Sequence, residues 1–339
     1  MLLQDRIEAF CKLNKYLTKV IEDEESQEII ERAINHNNWF TPANVKKSIQ
    51  GIIHLTEKNA LINWTSKYPI SDKPTGRKVG IVMAGNIPMV GFHDLLSVVI
   101  SGNTALIKTA TDDKFLMLNL INKLYELEPK MKTLIEVSER LNAAEAMIAT
   151  GSNNSSRYFE HYFAKMPNII RKNRNSVAVL TGNESEEEIL KLGGDIFDYF
   201  GLGCRNVSKL YVPDGYVFNK FYETLEKFDF VFAHHKYKNN YDYNKSVYLI
   251  NMVPHLDNGF LILKEDTAMI SPISVLFYEQ YKNDADLTLK LSAKSNQIQC
   301  IVGNRDDLQE MIPFGEAQIP SLFDYADGVD VLEFLTNLK

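Results

Sequence analysis

The apolar positions near the N-terminus follow a helical period. They recur at helical spacing through residues 2–11 and again through residues 29–33. Thr41 followed by Pro42 indicates a helix start, because a threonine hydroxyl caps free backbone N–H groups and proline is accepted at the first helical position. The pattern therefore predicts that residues 1–70 form a helical segment covering one side of the domain that follows.

The pattern changes further along the chain to short apolar runs that alternate with helical stretches. These elements are a strand over 78–84, a glycine loop over 85–91, a helix over 92–100 and a strand over 104–108. A strand, a loop, a helix and a strand in this order open a parallel α/β sheet. Because ligands bind such sheets beyond the carboxyl ends of the strands, we expect Asn86 and Lys108 to lie at a binding edge.

The same alternation continues through the rest of the chain. Further helices are predicted at about 113–126, 134–144, 158–163, 184–199, 218–228 and 285–293. Further strands are predicted at about 175–180, 210–212, 246–250, 259–263, 273–278 and 298–302. The pattern indicates a domain change near residue 176 and a second α/β unit after it.

Length, composition and charge exclude several classes of protein. The 339 residues suggest about two domains, and 45% hydrophobic with 24% charged residues is an ordinary globular balance. A net charge of −7 leaves no excess of cations for phosphates, which argues against a nucleic-acid binder. No run approaches the ~20 apolar residues of a membrane span, and residues 1–6 lack the apolar core of a signal peptide. Three widely spaced cysteines preclude a fully paired disulfide framework, so we expect a soluble, cytoplasmic protein.

Cys204 is the strongest candidate for chemistry. It lies between Gly201, Gly203 and a strand-like run, and glycines leave room for a ligand to approach the sulfur. A thiolate is a nucleophile whose pKa falls beside cations, and Arg205 supplies a neighbouring positive charge. Since a lone cysteine more often serves packing, the case for chemistry depends on the residues upstream.

Three upstream features complement a thiolate. The side-chain amide of Asn86 donates hydrogen bonds suited to an oxyanion. Lys108 and the helix start at residues 150–152 suit the ribose and phosphates of a dinucleotide. Taken on its own, the segment 150–152 is equally typical of an ordinary capped helix. Together with a nucleophilic thiolate, these features describe nicotinamide-dependent chemistry through a thioester or thiohemiacetal.

The order and spacing of these segments resemble the aldehyde dehydrogenase superfamily. The segment around Asn86 (85–88) resembles its oxyanion-asparagine loop, and the segment ending at Lys108 (101–108) resembles its segment whose lysine contacts the adenosine ribose. The other matching features are Thr150, Gly151 and Ser152 at its pyrophosphate-binding turn, Cys204 at its nucleophile, Glu265 at the glutamate that holds the nicotinamide ribose, and Phe314-Gly315 at its late Phe-Gly turn. The resemblance covers roughly residues 75–320.

One departure from the superfamily pattern narrows the expected activity. Hydrolytic aldehyde dehydrogenases carry a water-activating glutamate just before the strand equivalent to residues 176–180, whereas residues 170–175 here read Ile-Arg-Lys-Asn-Arg-Asn. A general base must lie within reach of its proton, and this stretch offers cations instead. Without such a base, the protein would keep its acyl thioester for reaction with an acceptor or a donor other than water. The whole chain most resembles the acyl-CoA reductases that make long-chain aldehyde for bacterial luciferase, including residues 38–41 and 204–208.

The resemblance implies an α/β, aldehyde dehydrogenase-like fold with a Rossmann-type cofactor lobe and an α/β catalytic lobe that carries the cysteine. We expect N-terminal helices packed on the cofactor lobe (1–70), a cofactor-binding domain (71–175), a catalytic domain (176–315) and a C-terminal segment returning to the cofactor lobe (316–339). It also implies acyl-CoA as substrate, NADPH as cofactor with NADH as the alternative, a homo-oligomer, and an acyl-donor partner protein as a further candidate.

Two other functions stay open at this point. A reductase of an acyl phosphate on the same fold would release phosphate and need no CoA-binding surface. A non-catalytic member would bind nucleotide or partners, although the joint presence of asparagine, lysine and cysteine argues against it. A hydrolytic aldehyde oxidiser is disfavoured by the missing carboxylate.

The remaining polar and sulfur-containing candidates are interpreted as structural. The His234-His235 pair is interpreted as a solvated pair near a helix end, and we expect no metal site there, since the pair lacks a third ligand at metal spacing. The other interpretations are core packing for Cys11 and Cys300, helix-start packing or a proton relay for His93, helix-surface charges for Asp94 and Glu160, and a solvated run or a CoA-phosphate attractor for Arg171, Lys172 and Arg174.

Overall fold

The computed structural model describes residues 1–21, 23–305 and 311–338, and the chain divides into two compact units. Unit 1 comprises Met1–Asn173 and Pro320–Lys339, and unit 2 comprises Arg174–Ile319. The helices are α1 Leu3–Val20, α2 Glu24–His36, α3 Pro42–Leu55, α4 Lys58–Thr65, α5 Phe92–Ile100, α6 Lys114–Leu127, α7 Asn153–Phe163, α8 Glu186–Phe197, α9 Asn219–Leu225, α10 His235–Ile250, α11 Asp284–Ala293 and α12 Val331–Thr336. The strands are β1 Lys78–Val82, β2 Thr104–Lys108, β3 Ile135–Val137, β4 Ala146–Thr150, β5 Asn168–Arg171, β6 Asn175–Val179, β7 Val207–Pro213, β8 Leu256–Asp257, β9 Ile262–Glu265, β10 Val275–Tyr281, β11 Ile298–Val302 and β12 Met311–Ile312.

The N-terminal part of unit 1 is helical, as the apolar period predicts. Helices α1 to α4 bury one apolar face each in the core of this unit. The predicted start of α3 is confirmed, since the Thr41 side chain accepts a hydrogen bond from the Asn44 amide at 3.2 Å and Pro42 is the first helical residue. Among the described residues, no helix is long and apolar enough to cross a membrane.

The sheet of unit 1 is parallel and has the strand order β3-β2-β1-β4-β5. The chain therefore leaves β1 towards one edge and later adds β4 on the other side of β1, which makes the β1/β4 pair the switch point of the sheet. The predicted helix over 134–144 is wrong, because Ile135 is buried and β3 pairs with β2. Hydrogen bonding to a neighbouring strand decides the state of such a short apolar run.

The sheet of unit 2 has the order β12-β11-β6-β7-β10-β9-β8 in the described part of the chain. Its strands are parallel except for the β8/β9 pair. The predicted strand over 246–250 is wrong, since these residues are the last turns of α10. Leu249 and Ile250 are 59% and 78% exposed, so their apolar run fills no sheet position.

Candidate active site

The residues predicted to bind at the sheet edge of unit 1 lie together. Val82, the last residue of β1, pairs with Lys108 on β2 and with Ala149 on β4. Asn86, Lys108 and the turn over residues 150–152 therefore follow the carboxyl ends of three adjacent parallel strands. This edge includes the switch point between β1 and β4, where open α/β sheets bind ligands.

The loop that carries Asn86 is anchored on both sides of that residue. The Met83 amide donates to the Lys108 carbonyl at 3.0 Å, and the Met89 amide donates to Asp113 Oδ2 at 2.9 Å. Met89 has a φ of 53°, a left-handed conformation that a side chain adopts at a cost. A Cβ on Gly85 would lie 2.6 Å from the Ala110 Cβ, so glycine is required there. Asn86 itself is exposed at the tip of this anchored loop.

Asp113 accepts the hydrogen bond from the Met89 amide that anchors this loop. Its side chain is buried, and within the described part of the chain Oδ1 has no hydrogen-bond partner. Burial raises the pKa of Asp113 to about 8, and the hydrogen bond from Met89 opposes that rise only in part. The carboxyl is therefore protonated at neutral pH. Neither the loop pattern nor the run that follows β2 predicts this role.

A buried ion pair joins α5 to β5 in unit 1. The Arg171 guanidinium donates to both Asp94 carboxylate oxygens at 2.6 and 2.8 Å, and both side chains are less than a tenth exposed. The Arg171 carbonyl also accepts a hydrogen bond from the Gly151 amide at 3.4 Å. The interpretations of Asp94 as a surface charge and of Arg171 as part of a solvated run are therefore wrong. Glu160 and Lys172, by contrast, form an exposed pair at 2.7 Å.

The turn before α7 offers hydrogen-bond donors at the sheet edge. Ser152 caps α7 by accepting from the Ser155 amide at 3.2 Å, and Ser152 is exposed. A Cβ on Gly151 would lie 2.9 Å from the Phe159 ring, so the backbone passes close to the helix there. With the exposed cation of Lys108 at the end of β2, which β1 separates from β4, this donor set fits the phosphates and ribose of a dinucleotide.

His93, the second residue of α5, is packed rather than exposed to solvent. Its ring lies 5.9 Å from the Trp64 ring and 5.8 Å from the Tyr325 ring, and Nε2 lies 3.4 Å from the Leu322 carbonyl oxygen. Burial lowers the pKa of His93, which keeps the imidazole neutral. These contacts favour the packing interpretation of His93 over a proton relay.

In unit 2, the turn before Cys204 has an unusual backbone. Tyr199, Phe200 and Gly201 have φ values of 51°, 57° and 78°. A bulky residue in this region costs on the order of 1–3 kcal/mol and persists only where its surroundings dictate it. Tyr199 and Phe200 are buried, and the Phe200 ring lies 4.3 Å from the His234 ring, tilted by 35°. His234 also caps α10, so the interpretation of the histidine pair as solvated is wrong for His234.

Asn206 fixes the shape of this turn with its side chain. Its Oδ1 accepts from the Gly203 amide at 2.8 Å, and its Nδ2 donates to the carbonyls of Asp195 at 3.0 Å and Asp198 at 2.8 Å. The side chain is 1% exposed. Gly203 precedes Cys204 directly, so Asn206 ties the cysteine to the end of α8. The motif that contains Cys204 includes Asn206, but its role follows only from the folded turn.

A second set of hydrogen bonds attaches the Phe314-Gly315 turn to the same helix. The buried Asp195 carboxylate accepts from the Gly315 amide at 2.6 Å and from the Ala317 amide at 3.0 Å. Arg205 Nε donates to the Ala317 carbonyl. Arg205 thus supports the neighbouring turn, in addition to bringing positive charge next to Cys204.

Cys300 lies beside the Cys204 turn, and its interpretation as a core residue is wrong. Ser176 Oγ donates to the Cys204 carbonyl at 3.2 Å and lies 2.9 Å from Cys300 Sγ. The pairing between β6 and β11 shifts register around Ser176, and so does the pairing between β6 and β7. Such bulges redirect side chains and are frequent beside active sites. Cys300 is half-buried, whereas Cys11 is buried as expected.

Glu265 lies elsewhere on the same sheet. It ends β9 and is exposed, opposite Tyr278, which pairs with Leu210 inside β7. Cys204 lies before β7 begins, whereas the register places Glu265 opposite the interior of β7, so strand pairing does not bring Glu265 next to Cys204. The chain after Glu265 turns back towards β7, where Ser208 Oγ donates to the Met269 carbonyl at 2.8 Å.

Asn86 and Cys204 belong to different units, unit 1 and unit 2. The structure therefore brings together Asn86, Lys108 and residues 150–152 in unit 1, and separately builds the Cys204 turn in unit 2. Across the described residues, no group of three or more His, Cys, Asp or Glu side chains could hold a metal ion.

Several solved structures align with this chain over most of its length. An NADP-dependent enzyme of E. coli aligns with a TM-score of 0.68 and 13% identity, over 94% of this chain and 76% of that chain. An NAD-dependent aldehyde dehydrogenase from Sinorhizobium meliloti aligns with a TM-score of 0.66 and 11% identity, over 91% and 71% of the two chains. An NAD⁺ complex of an aldehyde dehydrogenase from Bacillus cereus aligns with a TM-score of 0.64 and 13% identity, over 91% and 73%. The fold predicted from the sequence, that of the aldehyde dehydrogenase superfamily, is confirmed.

Sequence comparison gives the family within that superfamily. The sequence profile of the acyl-CoA reductase (LuxC) family matches residues 9–225. The chain belongs to this family, which confirms the resemblance found in the sequence. No curated protein sequence matches the chain.

Proposed function

We propose that this protein is an acyl-CoA reductase that forms an acyl thioester on Cys204 and reduces it with NADPH to a long-chain aldehyde. Family membership supports the reaction class. The assignment of Cys204 as the nucleophile rests on the geometry of its turn. Two bulky residues there adopt left-handed conformations, and Asn206 accepts a hydrogen bond from the amide of the preceding glycine. Strain of this kind is kept where a particular backbone geometry serves a function.

In this proposal unit 1 binds the cofactor and unit 2 carries out the covalent chemistry. Lys108 would contact the adenosine ribose or its 2′-phosphate. Thr150, Gly151 and Ser152 would hold the pyrophosphate, and Glu265 would contact the nicotinamide ribose. The bound cofactor supplies a hydride. NADPH is the preferred form and NADH the alternative. The helices over 1–70 and the segment over 316–339 would support the cofactor unit.

The covalent step belongs to Cys204. Its thiolate attacks the acyl carbonyl carbon, a carbon–sulfur bond forms, and the bond to the CoA sulfur breaks. CoA leaves as a thiolate, which takes up a proton from water. The Asn86 amide and the Cys204 backbone N–H would hold the oxyanion. Addition of that hydride to the thioester carbon would leave a thiohemiacetal oxyanion on Cys204, whose collapse breaks the carbon–sulfur bond and releases aldehyde and the Cys204 thiolate.

The residues before β6 favour reduction over hydrolysis. Residues 170–175 contain no carboxylate that could activate water. Arg171 pairs with Asp94 inside unit 1, so its charge serves a structural contact. The proposal further includes a cytoplasmic homo-oligomer that receives acyl groups as acyl-CoA, with an acyl-donor partner protein as a further candidate.

Turnover of matched cysteine variants tests the proposal. Cys204→Ser is expected to abolish NADPH-dependent aldehyde formation from a long-chain acyl-CoA, because a hydroxyl replaces the thiolate. Cys11→Ser, at a buried cysteine of unit 1, is the control and is expected to retain it. Turnover by Cys204→Ser would refute the assignment of the nucleophile. Turnover of an acyl phosphate in place of acyl-CoA would identify the protein as an acyl phosphate reductase, and no turnover of either donor would favour a nucleotide-binding role.

A further inference from the structure

Ser176 contacts the Cys204 turn through both its backbone and its side chain. The Ser176 amide donates to the Asn206 carbonyl at 3.1 Å, and Ser176 Oγ donates to the Cys204 carbonyl at 3.2 Å. Ser176 is completely buried, so water cannot replace either hydrogen bond. The hydroxyl therefore fixes the direction of the peptide group that follows Cys204.

The backbone is held on both sides of the Cys204 Cα atom. On the preceding side, the Gly203 amide donates to Asn206 Oδ1 at 2.8 Å, and on the following side the Cys204 carbonyl accepts from Ser176. Because peptide groups are planar, fixing the two that flank a residue fixes its backbone dihedrals. The direction of the Cys204 Cα–Cβ bond follows from those dihedrals, and Sγ lies one rotatable bond further out.

The sheet is irregular on both sides of Ser176. One extra residue lies on β11 opposite Asn175 to Val177 of β6, and one extra residue, Ser208, lies on β7 opposite Ser176 and Val177. Bulges of this kind redirect side chains and are frequent beside active sites. The Ser176 hydroxyl accordingly reaches a carbonyl that precedes β7 and takes no part in strand pairing.

The Cys300 thiol determines where the Ser176 hydroxyl points. Cys300 Sγ lies 2.9 Å from Ser176 Oγ, and a serine hydroxyl has a single proton to donate. Because that proton goes to the Cys204 carbonyl, the thiol is the donor in the contact between Cys300 and Ser176. A short chain of hydrogen bonds thus runs from Cys300 through Ser176 to the backbone of Cys204.

We propose that Ser176 is a positioning residue for the nucleophile, which holds the Cys204 thiolate in line with the acyl carbonyl carbon by fixing the Cys204 carbonyl. The inference rests on the proposed role of Cys204. A misplacement of about 1 Å in a reacting group can cost on the order of a hundredfold in rate. Loss of the hydroxyl should therefore slow acylation, while cofactor binding, which the proposal assigns to other residues, should be unaffected.

The test is the rate of single-turnover acylation of the full chain by a long-chain acyl-CoA, followed by intact-protein mass without nicotinamide. Ser176→Ala should form the Cys204 adduct at least about tenfold more slowly than the wild type. Its Kd for NADPH, measured by cofactor fluorescence, should keep the wild-type value. Ser176→Thr keeps the hydroxyl and should recover most of the rate.

Ser208→Ala is the matched control. It removes another buried hydroxyl of unit 2, whose hydrogen bond at 2.8 Å goes to the Met269 carbonyl and not to the Cys204 turn. This variant should acylate at the wild-type rate. Three results would overturn the inference: wild-type acylation by Ser176→Ala, an equal loss in Ser208→Ala, or a folded Ser176→Thr as slow as Ser176→Ala.

A second measurement needs no acyl donor. The rate at which iodoacetamide alkylates Cys204, separated from Cys300 by peptide mapping, should shift by at least about threefold in Ser176→Ala and stay unchanged in Ser208→Ala. An unchanged rate in Ser176→Ala would count against the positioning role. A wild type that accepts no acyl group would instead contradict the proposed function, and a shifted alkylation rate would still support the role of Ser176.

Discussion

At the scale of single residues, one buried amide maintains the turn that presents Cys204. Asn206 satisfies one backbone N–H and two carbonyls, and its contacts run from the end of α8 to Gly203. These groups are shielded from water, so losing the amide leaves them unsatisfied at about 1–3 kcal/mol each. The turn also contains two strained bulky residues, which makes it dependent on this support.

We predict that Asn206→Ala lowers turnover per folded molecule by at least about tenfold, because small misplacements of a nucleophile cost large factors in rate. The rate at which iodoacetamide alkylates Cys204 should change as well, and urea unfolding measures the loss of stability. Asn244→Ala is the matched control, since Asn244 is also buried and donates to the Ile273 carbonyl at 3.0 Å. An Asn206→Ala protein with unchanged turnover would show that the turn keeps its shape without the amide.

Asp113 makes stability depend on pH. Its pKa is about 8 in the folded protein against an ordinary value of 3.8, so above pH 4 the unfolded chain loses a proton that the folded chain retains. The free energy of unfolding therefore falls as pH rises from about 4 to about 8. Above the folded pKa, the stabilisation that the protonated Asp113 contributes is lost completely.

We predict that Asp113→Asn removes most of this fall, because the asparagine accepts the Met89 hydrogen bond and never ionises. Urea unfolding at pH 5 and pH 8 should show a difference smaller by a few kcal/mol than in the wild type. Asp112→Asn, at the exposed neighbouring position, should leave the wild-type pH dependence unchanged. Identical pH profiles for the wild type and Asp113→Asn would contradict the burial argument.

At the scale of elements, the ion pair of Asp94 and Arg171 connects the helix after the Asn86 loop to the strand beside the Gly151 turn. Removing one partner of a buried pair leaves an uncompensated charge, at a cost of about 3–5 kcal/mol. We predict that Arg171→Met lowers the free energy of unfolding by about 3–5 kcal/mol. Adding Asp94→Leu to this variant should restore much of the lost stability. Urea unfolding measures both variants.

The exposed pair of Glu160 and Lys172 is the control for this experiment. The two side chains are about half exposed, and such pairs contribute about 0–1 kcal/mol. Glu160→Gln should therefore leave stability almost unchanged. Equal effects at the buried and the exposed pair would show that the contact between α5 and β5 does not depend on the charges.

The elements also show what the sequence can and cannot predict. The bounds of α5 and β2 match the apolar pattern, because each element buries a run of its own residues. The pattern predicts the wrong state for residues 134–144 and 246–250, because pairing with β2 and continuation of α10 decide their structure. Asn86 and Cys204 are recognisable from local motifs. The pair of Asp94 with Arg171 and the contact of Cys300 with Ser176 join residues distant in sequence, which a local pattern does not reveal. The hydrogen bonds of Asn206 depend on how its own turn folds.

At the scale of the whole molecule, the two units divide the proposed reaction. Unit 1 has a parallel sheet whose switch-point edge carries Asn86, Lys108 and residues 150–152. Unit 2 carries the Cys204 turn at the start of β7. The order of motifs along the chain predicts both units, and in unit 1 the motifs lie at the carboxyl ends of parallel strands, where such sheets bind ligands. In this proposal, the turn in unit 2 positions Cys204 to hold an acyl group.

Intact-protein mass after mixing with a long-chain acyl-CoA, in the absence of nicotinamide, reports directly whether Cys204 becomes acylated. We predict a mass increase equal to one acyl group, located at Cys204, removed by hydroxylamine and absent from Cys204→Ser. Addition of NADPH should discharge the adduct as aldehyde. An unmodified protein with acyl-CoAs of several chain lengths, or an adduct that persists in Cys204→Ser, would contradict the account.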